Sequence, residues 1–296
     1  MRESGIPESR NVAQFSHRNW GMRLGFFIMS AMSVLSSALA AKQGLGGVKR
    51  SLARMSEFAG PNDKTFERQW TAIGDILSAL EERPPIESMG ADALQMTREG
   101  PDFRFQTLVG TMLSPQTRDE QTAAGFRGLA NLMAPLPLSA AAMSKCDEGD
   151  IATAIAMVSF YRVKAANLKD AAVRCVTNHD GDIPDEIDEL LSFRGVGPKV
   201  GYLTFTIARN ETVGICVDTH VHRIANRLNW VETASAKSNG PEKTRVQLQS
   251  WLKKEYWSDI NARMVAFGQS ICSAKAPQCS KCSMTDTCSF YKASDW

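Results

Sequence analysis

The sequence has almost no excess of charge, and its prolines and glycines are few and irregularly spaced. Its 34 Lys and Arg residues stand against 32 Asp and Glu, a net charge of +2 over 296 residues. This balance excludes a general positive field, so a nucleic-acid partner would have to bind a local basic face and backbone donors. The 12 Pro and 21 Gly residues show no period, which excludes collagen-like and low-complexity architectures. With 43% hydrophobic residues, the chain can bury a core.

An apolar run near the N-terminus, residues 24–41, contains no charged residue. It is short for a transmembrane helix, and Ser and Gly interrupt it. The run ends in Ala38-Leu39-Ala40, which resembles a signal-peptide cleavage site, and a basic segment without acidic residues follows. We expect residues 1–60 to be a poorly ordered leader or targeting extension. A true start at Met55 and a membrane anchor are the alternatives.

Strand patterns are missing as well, because no segment alternates apolar and polar residues between turn signals. Instead, apolar residues recur at helical spacing almost everywhere after Pro61. This pattern predicts an all-α fold of roughly ten helices joined by short loops. The clearest stripes are Phe66, Trp70, Ile73, Leu77 and Leu80; Phe105, Leu108, Val109, Met112 and Leu113; and Ala165, Leu168, Ala172, Cys175 and Val176.

A glycine-rich turn joins two of these helical segments, in the order Gly195-Val196-Gly197-Pro198-Lys199. Gly195 and Gly197 allow a tight turn and the close approach of a ligand. Pro198 opens the next helix, whose free N–H groups suit a phosphate. The turn therefore predicts a helix-hairpin-helix that binds the DNA backbone without distinguishing sequence. An ordinary helical hairpin is the alternative.

Lys199 stands in the first turn of that second helix, where the helix dipole is already positive. This potential, together with partial burial, favours the neutral amine over the ammonium ion. A neutral amine attacks an electrophilic carbon and forms a Schiff base. Lys199 is thus a candidate nucleophile, and a surface lysine that touches a phosphate is the alternative.

A second segment, Val217-Asp218-Thr219-His220-Val221-His222-Arg223, follows an apolar stretch. Asp218 is placed to cap the helix that begins there. A carboxylate at the edge of the core can also stabilise a cationic transition state or activate water, so both roles remain open. His220 and His222 do not form a metal pair on this pattern, because positions i and i+2 of a helix do not face one another.

The seven cysteines are odd in number and unevenly spread, since Cys272, Cys279, Cys282 and Cys288 lie within 17 residues. This is not typical of a secreted disulfide framework. Four thiolates in one loop can close around a single cluster or ion. One C-x2-C pair flanked by longer arms favours an iron–sulfur cluster over zinc. Lys275 lies in the first arm, where it can face a DNA phosphate.

These three elements, in this order and spacing, resemble the endonuclease III family of DNA glycosylases. The matching segments are the turn at 195–199, the run Val-Asp-Thr-His-Val-His-Arg-Ile-Ala-Asn-Arg-Leu at 217–228, and the four-Cys loop. Residues 105–119 and Asp182-Ile183-Pro184 also match. The similarity covers residues 66–292 and looks more like eukaryotic than bacterial members.

The resemblance implies a helix-hairpin-helix glycosylase fold of two lobes with a cleft between them. The six-helix barrel lobe would span residues 103–211, and the iron–sulfur cluster lobe would join residues 66–102 to 212–292. The implied function is that of a bifunctional DNA glycosylase and AP lyase, which excises oxidised pyrimidines from duplex DNA and nicks the abasic site by β-elimination in base excision repair. The partner would be double-stranded DNA containing damaged pyrimidines or abasic sites, bound by a monomer without a membrane partner. The expected location is the nucleus or mitochondrion, or both, with another organelle as the alternative.

Individual positions carry over in the same way. Lys199 matches the family's nucleophile and Asp218 its catalytic carboxylate, while the four Cys match the ligands of a 4Fe-4S cluster. Gln116 and Phe160 match the residues that fill the space left by a flipped base and wedge the duplex open. For Phe160 a core aromatic at a helix start is the alternative. Phe193-Arg194 departs from the Leu-Pro of many members, which predicts a less rigid entry to the hairpin.

Two other functions compete with this interpretation. An adenine glycosylase of the same superfamily would lack the hairpin lysine, so Lys199 argues against it. A non-enzymatic helix-hairpin-helix module with a structural metal is the other alternative, and the presence of both Lys199 and Asp218 argues against it.

Overall fold

The computed structural model describes residues 59–80, 96–236 and 238–294, which all belong to one compact unit, Arg54–Trp296. Within these ranges the chain forms twelve α-helices and two 3-10 turns, with no strand. The all-α prediction is therefore confirmed. The predicted leader falls almost wholly on residues 1–58, outside the described residues. In the described part, no helix combines the length and apolar character needed to cross a membrane.

The helices begin where the sequence offers caps. Asn62 and Asp147 accept hydrogen bonds from the free N–H groups that follow them, and prolines occupy the first turns of three further helices. The helices are α1 Asp63–Ala79, α2 Gly100–Leu113, α3 Asp119–Met133, α4 Ala140–Met143, α5 Glu148–Ala154, α6 Tyr161–Asn178, α7 Ile187–Leu191, α8 Pro198–Arg209, α9 Thr219–Arg227, α10 Gly240–Trp251, α11 Ile260–Ser270 and α12 Ser289–Lys292.

The first hydrophobic core draws on residues between 105 and 208, and α2 lies at its centre. All nine residues from Phe105 to Leu113 are buried, so α2 is covered on every side from Phe105 to its C-terminus. It packs most extensively against α8, where Thr111 and Thr204 share a hydrogen bond of 2.7 Å between their hydroxyls. Val196 of the glycine turn and Val200 of α8 belong to the same core, so this core supports the turn and the start of α8. Val176 departs from the predicted stripe: it is 39% exposed because the buried face of α6 ends at Cys175.

The second core joins α1 to helices that follow residue 214. Phe66 brings its ring within 4.9 Å of Trp230 and 5.3 Å of Trp251. The Trp230 indole donates a hydrogen bond of 2.6 Å to the buried Gln69 side chain. The two cores thus have the chain order expected of the two lobes, while the lobe boundaries themselves stay a prediction.

Candidate active site

The glycine turn connects the end of α7 to the start of α8. Gly195 adopts φ +79°, and a Cβ there would lie 2.4 Å from Nδ2 of Asn167. Only glycine avoids both the strain and the overlap. Gly197 is the N-cap of α8 at φ −93°, and a Cβ there would meet nothing within 4 Å. The backbone at Gly197 therefore faces open space at a helix N-terminus, the setting in which a phosphate can approach.

The entry to this turn is held from α6. Phe193 is buried, and the guanidinium of Arg174 lies 4.1 Å from its ring centre. The same Arg174 donates hydrogen bonds to the carbonyl and hydroxyl oxygens of Ser192, at 3.0 and 2.8 Å. The entry that we expected to be less rigid thus carries a stacking contact and two hydrogen bonds. Arg194 is exposed.

The structure brings Lys199 and Asp218 into one neighbourhood. Lys199 is partly exposed in the first turn of α8, and its carbonyl accepts a hydrogen bond from the buried Cys216 thiol at 3.5 Å. Burial raises the pKa of the Cys216 thiol to about 12. The charge of Lys199 acts to lower this pKa and the charge of Asp218 acts to raise it, which means that both side chains lie close enough to the thiol to affect it. The chain before α9 therefore runs beside the start of α8. The described residues contain no direct ion pair between Lys199 and Asp218.

Asp218 is the N-cap of α9. Its Oδ1 accepts hydrogen bonds from the backbone N–H groups of His220 and Val221, at 2.9 and 2.8 Å. This geometry confirms the capping role predicted from the sequence. Because both bonds go to one oxygen, the cap leaves the second carboxylate oxygen for another partner.

The two histidines of this segment contact different partners, as their i, i+2 spacing predicts. The His220 ring lies 3.2 Å from the Arg223 guanidinium, whereas His222 shares a hydrogen bond of 2.7 Å with the Thr244 hydroxyl. Burial lowers the pKa of both rings. Lys199 and Arg223 lower the pKa of His220 further, while Asp218 acts against them. The His220 ring therefore lies within electrostatic reach of both the candidate nucleophile and the candidate carboxylate.

Gln116 and Phe160 both adopt the left-handed backbone conformation, at φ +57° and +58°. Gln116 is exposed, and Phe160 is 63% exposed at the N-cap of α6. The alternative of a core aromatic at Phe160 is therefore wrong. Sequence reasoning missed Lys164, a buried lysine whose Nζ donates to the carbonyls of Leu113 and Pro115, at 2.6 and 2.8 Å. The sequence shows that Lys164 lies close to Phe160 at the start of α6, but it does not indicate that the Lys164 side chain is buried.

The four clustered cysteines lie in the loop after α11, and all four are partly exposed free thiols. Burial raises the pKa of Cys282, and the charges of Cys288, Cys272 and Cys279 raise it further, so the four groups are neighbours. Among the residues that the structure describes, however, no three His, Cys, Asp or Glu side chains are arranged to hold a metal ion. The donor chemistry of the loop fits an iron–sulfur cluster, although its geometry is not that of an assembled site.

Two arginines of α9 bind this loop. Arg227 donates to the carbonyls of Ser273 and Ala274, at 2.7 and 3.0 Å, and its Nη1 lies 3.2 Å from Sγ of Cys272. Arg223 donates to the Cys272 carbonyl at 2.9 Å. The helix that Asp218 caps therefore holds, at its far end, the loop that carries Lys275. The sequence matched both arginines to a family segment but indicated no contact for either.

The chain is similar in sequence to known DNA repair proteins. Residues 109–254 match the family model of the HhH-GPD superfamily base excision DNA repair protein. Endonuclease III-like protein 1 of Gallus gallus is 38% identical over 205 residues, which cover 69% of this chain and 70% of that protein. An endonuclease III homolog of Encephalitozoon cuniculi is 37% identical over 216 residues, covering 69% and 86%. The chain belongs to the endonuclease III family.

Among endonuclease III relatives, homolog 2 of Arabidopsis thaliana, called chloroplastic, is 42% identical over 222 residues and 72% of this chain. The chain spans 56% of that protein's length. A solved endonuclease III–DNA covalent intermediate has a TM-score of 0.61 at 22% identity, covering 77% of this chain and 97% of that one. At this identity the likeness shows the fold alone, and it confirms the predicted glycosylase fold.

Proposed function

We propose that this endonuclease III family member is a bifunctional DNA glycosylase and AP lyase. It excises oxidised pyrimidines from duplex DNA and nicks the resulting abasic site, within base excision repair. The observation that carries the proposal is the approach of two chain segments, one bearing Lys199 at the N-terminus of α8 and the other bearing Asp218 at the cap of α9. Family membership supports the same activity.

In the proposed reaction, the Lys199 amine attacks C1′ of a nucleotide that has left the base stack. The bond from C1′ to the base breaks, its electron pair leaves with the base, and the base takes up a proton. The nitrogen then loses a proton, the bond from C1′ to O4′ breaks with its electron pair staying on O4′, and O4′ takes up that proton, which leaves a Schiff base between C1′ and the Lys199 nitrogen. Removal of a C2′ proton then expels the 3′ phosphate by β-elimination. Asp218 stabilises the positive charge that develops at the sugar and at the Schiff base.

The DNA contacts follow from the exposed elements around these two residues. Backbone N–H groups at Gly195 and Gly197 bind a phosphate at the start of α8. Gln116 and Phe160 enter the duplex where the damaged base has left. Lys275 contacts a phosphate from the cysteine loop. The protein acts as a monomer on DNA that contains damaged pyrimidines or abasic sites.

Cys272, Cys279, Cys282 and Cys288 hold a 4Fe-4S cluster in this proposal. The free, partly exposed thiols support it, as does the family. The cluster fixes the loop that carries Lys275, and the reaction takes place elsewhere. Purified protein should contain about four irons and absorb near ~400 nm. Cys282→Ser should lose the iron, while Cys175→Ser, in the first core, should keep it. Normal iron in Cys282→Ser, or one zinc in the native protein, would contradict the assignment.

We place the protein in the nucleus or mitochondrion, or both. Because two Arabidopsis relatives are called chloroplastic, another organelle is the competing location. Mass spectrometry of the mature N-terminus in cells distinguishes a cleaved leader from translation at Met55.

The function is tested by single-turnover assays on duplex DNA that contains thymine glycol. The native protein should release the base and nick the strand. Lys199→Gln should do neither, yet should bind abasic-site DNA with nearly native affinity, because the phosphate-binding backbone is unchanged. Substantial base release by Lys199→Gln would show that water, and not this amine, is the nucleophile.

A further inference from the structure

Gln116 and Phe160 share a backbone conformation that non-glycine residues adopt only where their surroundings hold them. Gln116 lies in the turn after α2, and Phe160 caps α6. Neither side chain is buried. Their conformations must therefore be maintained by contacts of the neighbouring backbone.

The turn that contains Gln116 is closed by a hydrogen bond of 3.1 Å from the Thr117 N–H to the Ser114 carbonyl, and the side chain of Lys164 adds further contacts to it. Its Nζ donates to Leu113 O, Pro115 O and Thr117 Oγ1, at 2.6, 2.8 and 3.0 Å, so its acceptors lie on either side of Gln116. Its backbone N–H donates to the carbonyl of Phe160 at 3.0 Å, as the ordinary first hydrogen bond of α6, so the side chain of Lys164 extends to the Gln116 turn from the turn of α6 that follows Phe160. One residue thus joins the Gln116 turn to the start of α6.

The Lys164 amine is unusual for a lysine, since the residue is only 9% exposed. No carboxylate pairs with it in the described residues; its partners there are two carbonyls and a hydroxyl. An ammonium has three protons to donate, and it meets three acceptors. Burial and the charge of Lys199 lower the pKa of Lys164 to about 8. Maintaining a charge in such a site has a cost, which the contacts to the Gln116 turn offset only in part.

We propose that Lys164 is a positioning residue for base flipping, which holds the Gln116 turn and Phe160 at a set separation so that both enter the duplex together. It touches no reacting atom. The inference rests on the proposed function, because it assumes that these two side chains act on DNA.

The chain contains a matched control on the same helix. Nζ of Lys169 donates to the carbonyls of Ser144 and Cys146, at 2.6 and 2.7 Å. This lysine also holds the turn after a helix, but residues 144–146 are not among the proposed DNA contacts. A merely structural effect of removing such an amine should appear in both variants.

The test combines single-turnover base release from a thymine glycol duplex, at saturating protein, with the fluorescence of 2-aminopurine placed opposite the lesion. Lys164→Met and Gln116→Ala should each slow base release about tenfold or more, and each should alter the fluorescence signal in the same way. The double variant should release the base at a rate within about twofold of the slower single variant, because both substitutions disrupt the same step. Lys169→Met should retain native rates and fluorescence.

Multiplicative effects in the double variant, or equal losses in Lys169→Met, would overturn the inference. If Lys164→Met does not fold, Thr117→Val decides instead, since it leaves the amine in place and removes one of its three acceptors, together with that hydroxyl's own hydrogen bond of 3.3 Å to the Pro115 carbonyl. It should slow base release and be non-additive with Gln116→Ala, and a native rate in Thr117→Val would refute the proposal. A native protein that releases no base would instead refute the proposed function, so the two failures are distinguishable.

Discussion

An added methyl group should have different effects at the two glycines of the hairpin turn: it should lower stability at Gly195 and DNA affinity at Gly197. Gly195 requires a left-handed backbone, and a methyl group there would overlap the side chain of Asn167. The left-handed conformation costs alanine roughly 1–2 kcal/mol, and moving Asn167 adds to this. We therefore expect Gly195→Ala to lower the free energy of unfolding by about 2–3 kcal/mol.

Gly197→Ala should leave the fold intact. Its φ of −93° suits any residue, and the new methyl group meets no atom of the protein. Alanine is a less favourable N-cap than glycine, which lowers the free energy of unfolding, but it makes the unfolded chain less flexible, which raises it. The free energy of unfolding should therefore change by less than about 1 kcal/mol. The methyl group would instead stand where a phosphate approaches the backbone. Affinity for abasic-site duplex should fall about tenfold or more.

Thermal unfolding and titration with a labelled abasic-site duplex measure both quantities on the same samples. Gly195→Ala should melt about 5–10 °C lower, on the basis of ~2–4 °C for each kcal/mol. Gly197→Ala should melt near the native temperature but bind weakly. Native stability in Gly195→Ala, or native affinity in Gly197→Ala, would refute the account of the turn.

Three further predictions concern single side chains. Asp218→Asn should slow the reaction by several orders of magnitude with little change in the free energy of unfolding, because Asn is also a good N-cap. Asp218→Ala should slow it as well and should lower the free energy of unfolding by about 1 kcal/mol, because the cap is lost. An equal decrease in melting temperature in both variants would show that Asp218 is only a helix cap. Folding lowers the pKa of Lys164 from 10.5 to about 8, so the buried ammonium ion destabilises the folded chain at neutral pH. This destabilisation disappears as the pH rises above about 8 and the amine loses its proton in the folded chain. The stability of the native chain relative to Lys164→Met should therefore increase by about 2 kcal/mol between pH 7 and ~9.5, as denaturant melts can show, and a flat difference would contradict this. Lys275→Ala should weaken DNA binding and reduce the salt slope by roughly one charge while leaving the saturated rate unchanged, and an unchanged slope would exclude the phosphate contact.

Local patterns in the sequence were sufficient to predict the all-α fold and the cap at Asp218. Asp218 caps α9 as predicted, because capping depends on a residue and the N–H groups directly after it. The burial of every α2 residue from Phe105 to Leu113 was not predictable from periodicity, which expects one buried face. There, Gln106 is buried because its side chain accepts a hydrogen bond from the Met96 backbone and donates one to the Leu138 carbonyl.

The site was only partly predictable, because several of its contacts join residues that are distant in the sequence. Lys164 and Arg227 lie in segments that the sequence singled out, yet their roles depend on carbonyl groups about 50 residues away along the chain. Carbonyls are present at every residue, so no pattern of residue types marks which of them a long cationic side chain will meet. Such contacts become visible only in the folded chain.

The central claim is that the Lys199 amine becomes covalently attached to DNA. Incubation with thymine glycol duplex in the presence of borohydride, followed by digestion and mass spectrometry, tests it most directly. We predict a reduced protein–DNA adduct that maps to Lys199 and is missing in Lys199→Gln. An adduct at another residue, or base release without any adduct, would contradict the account.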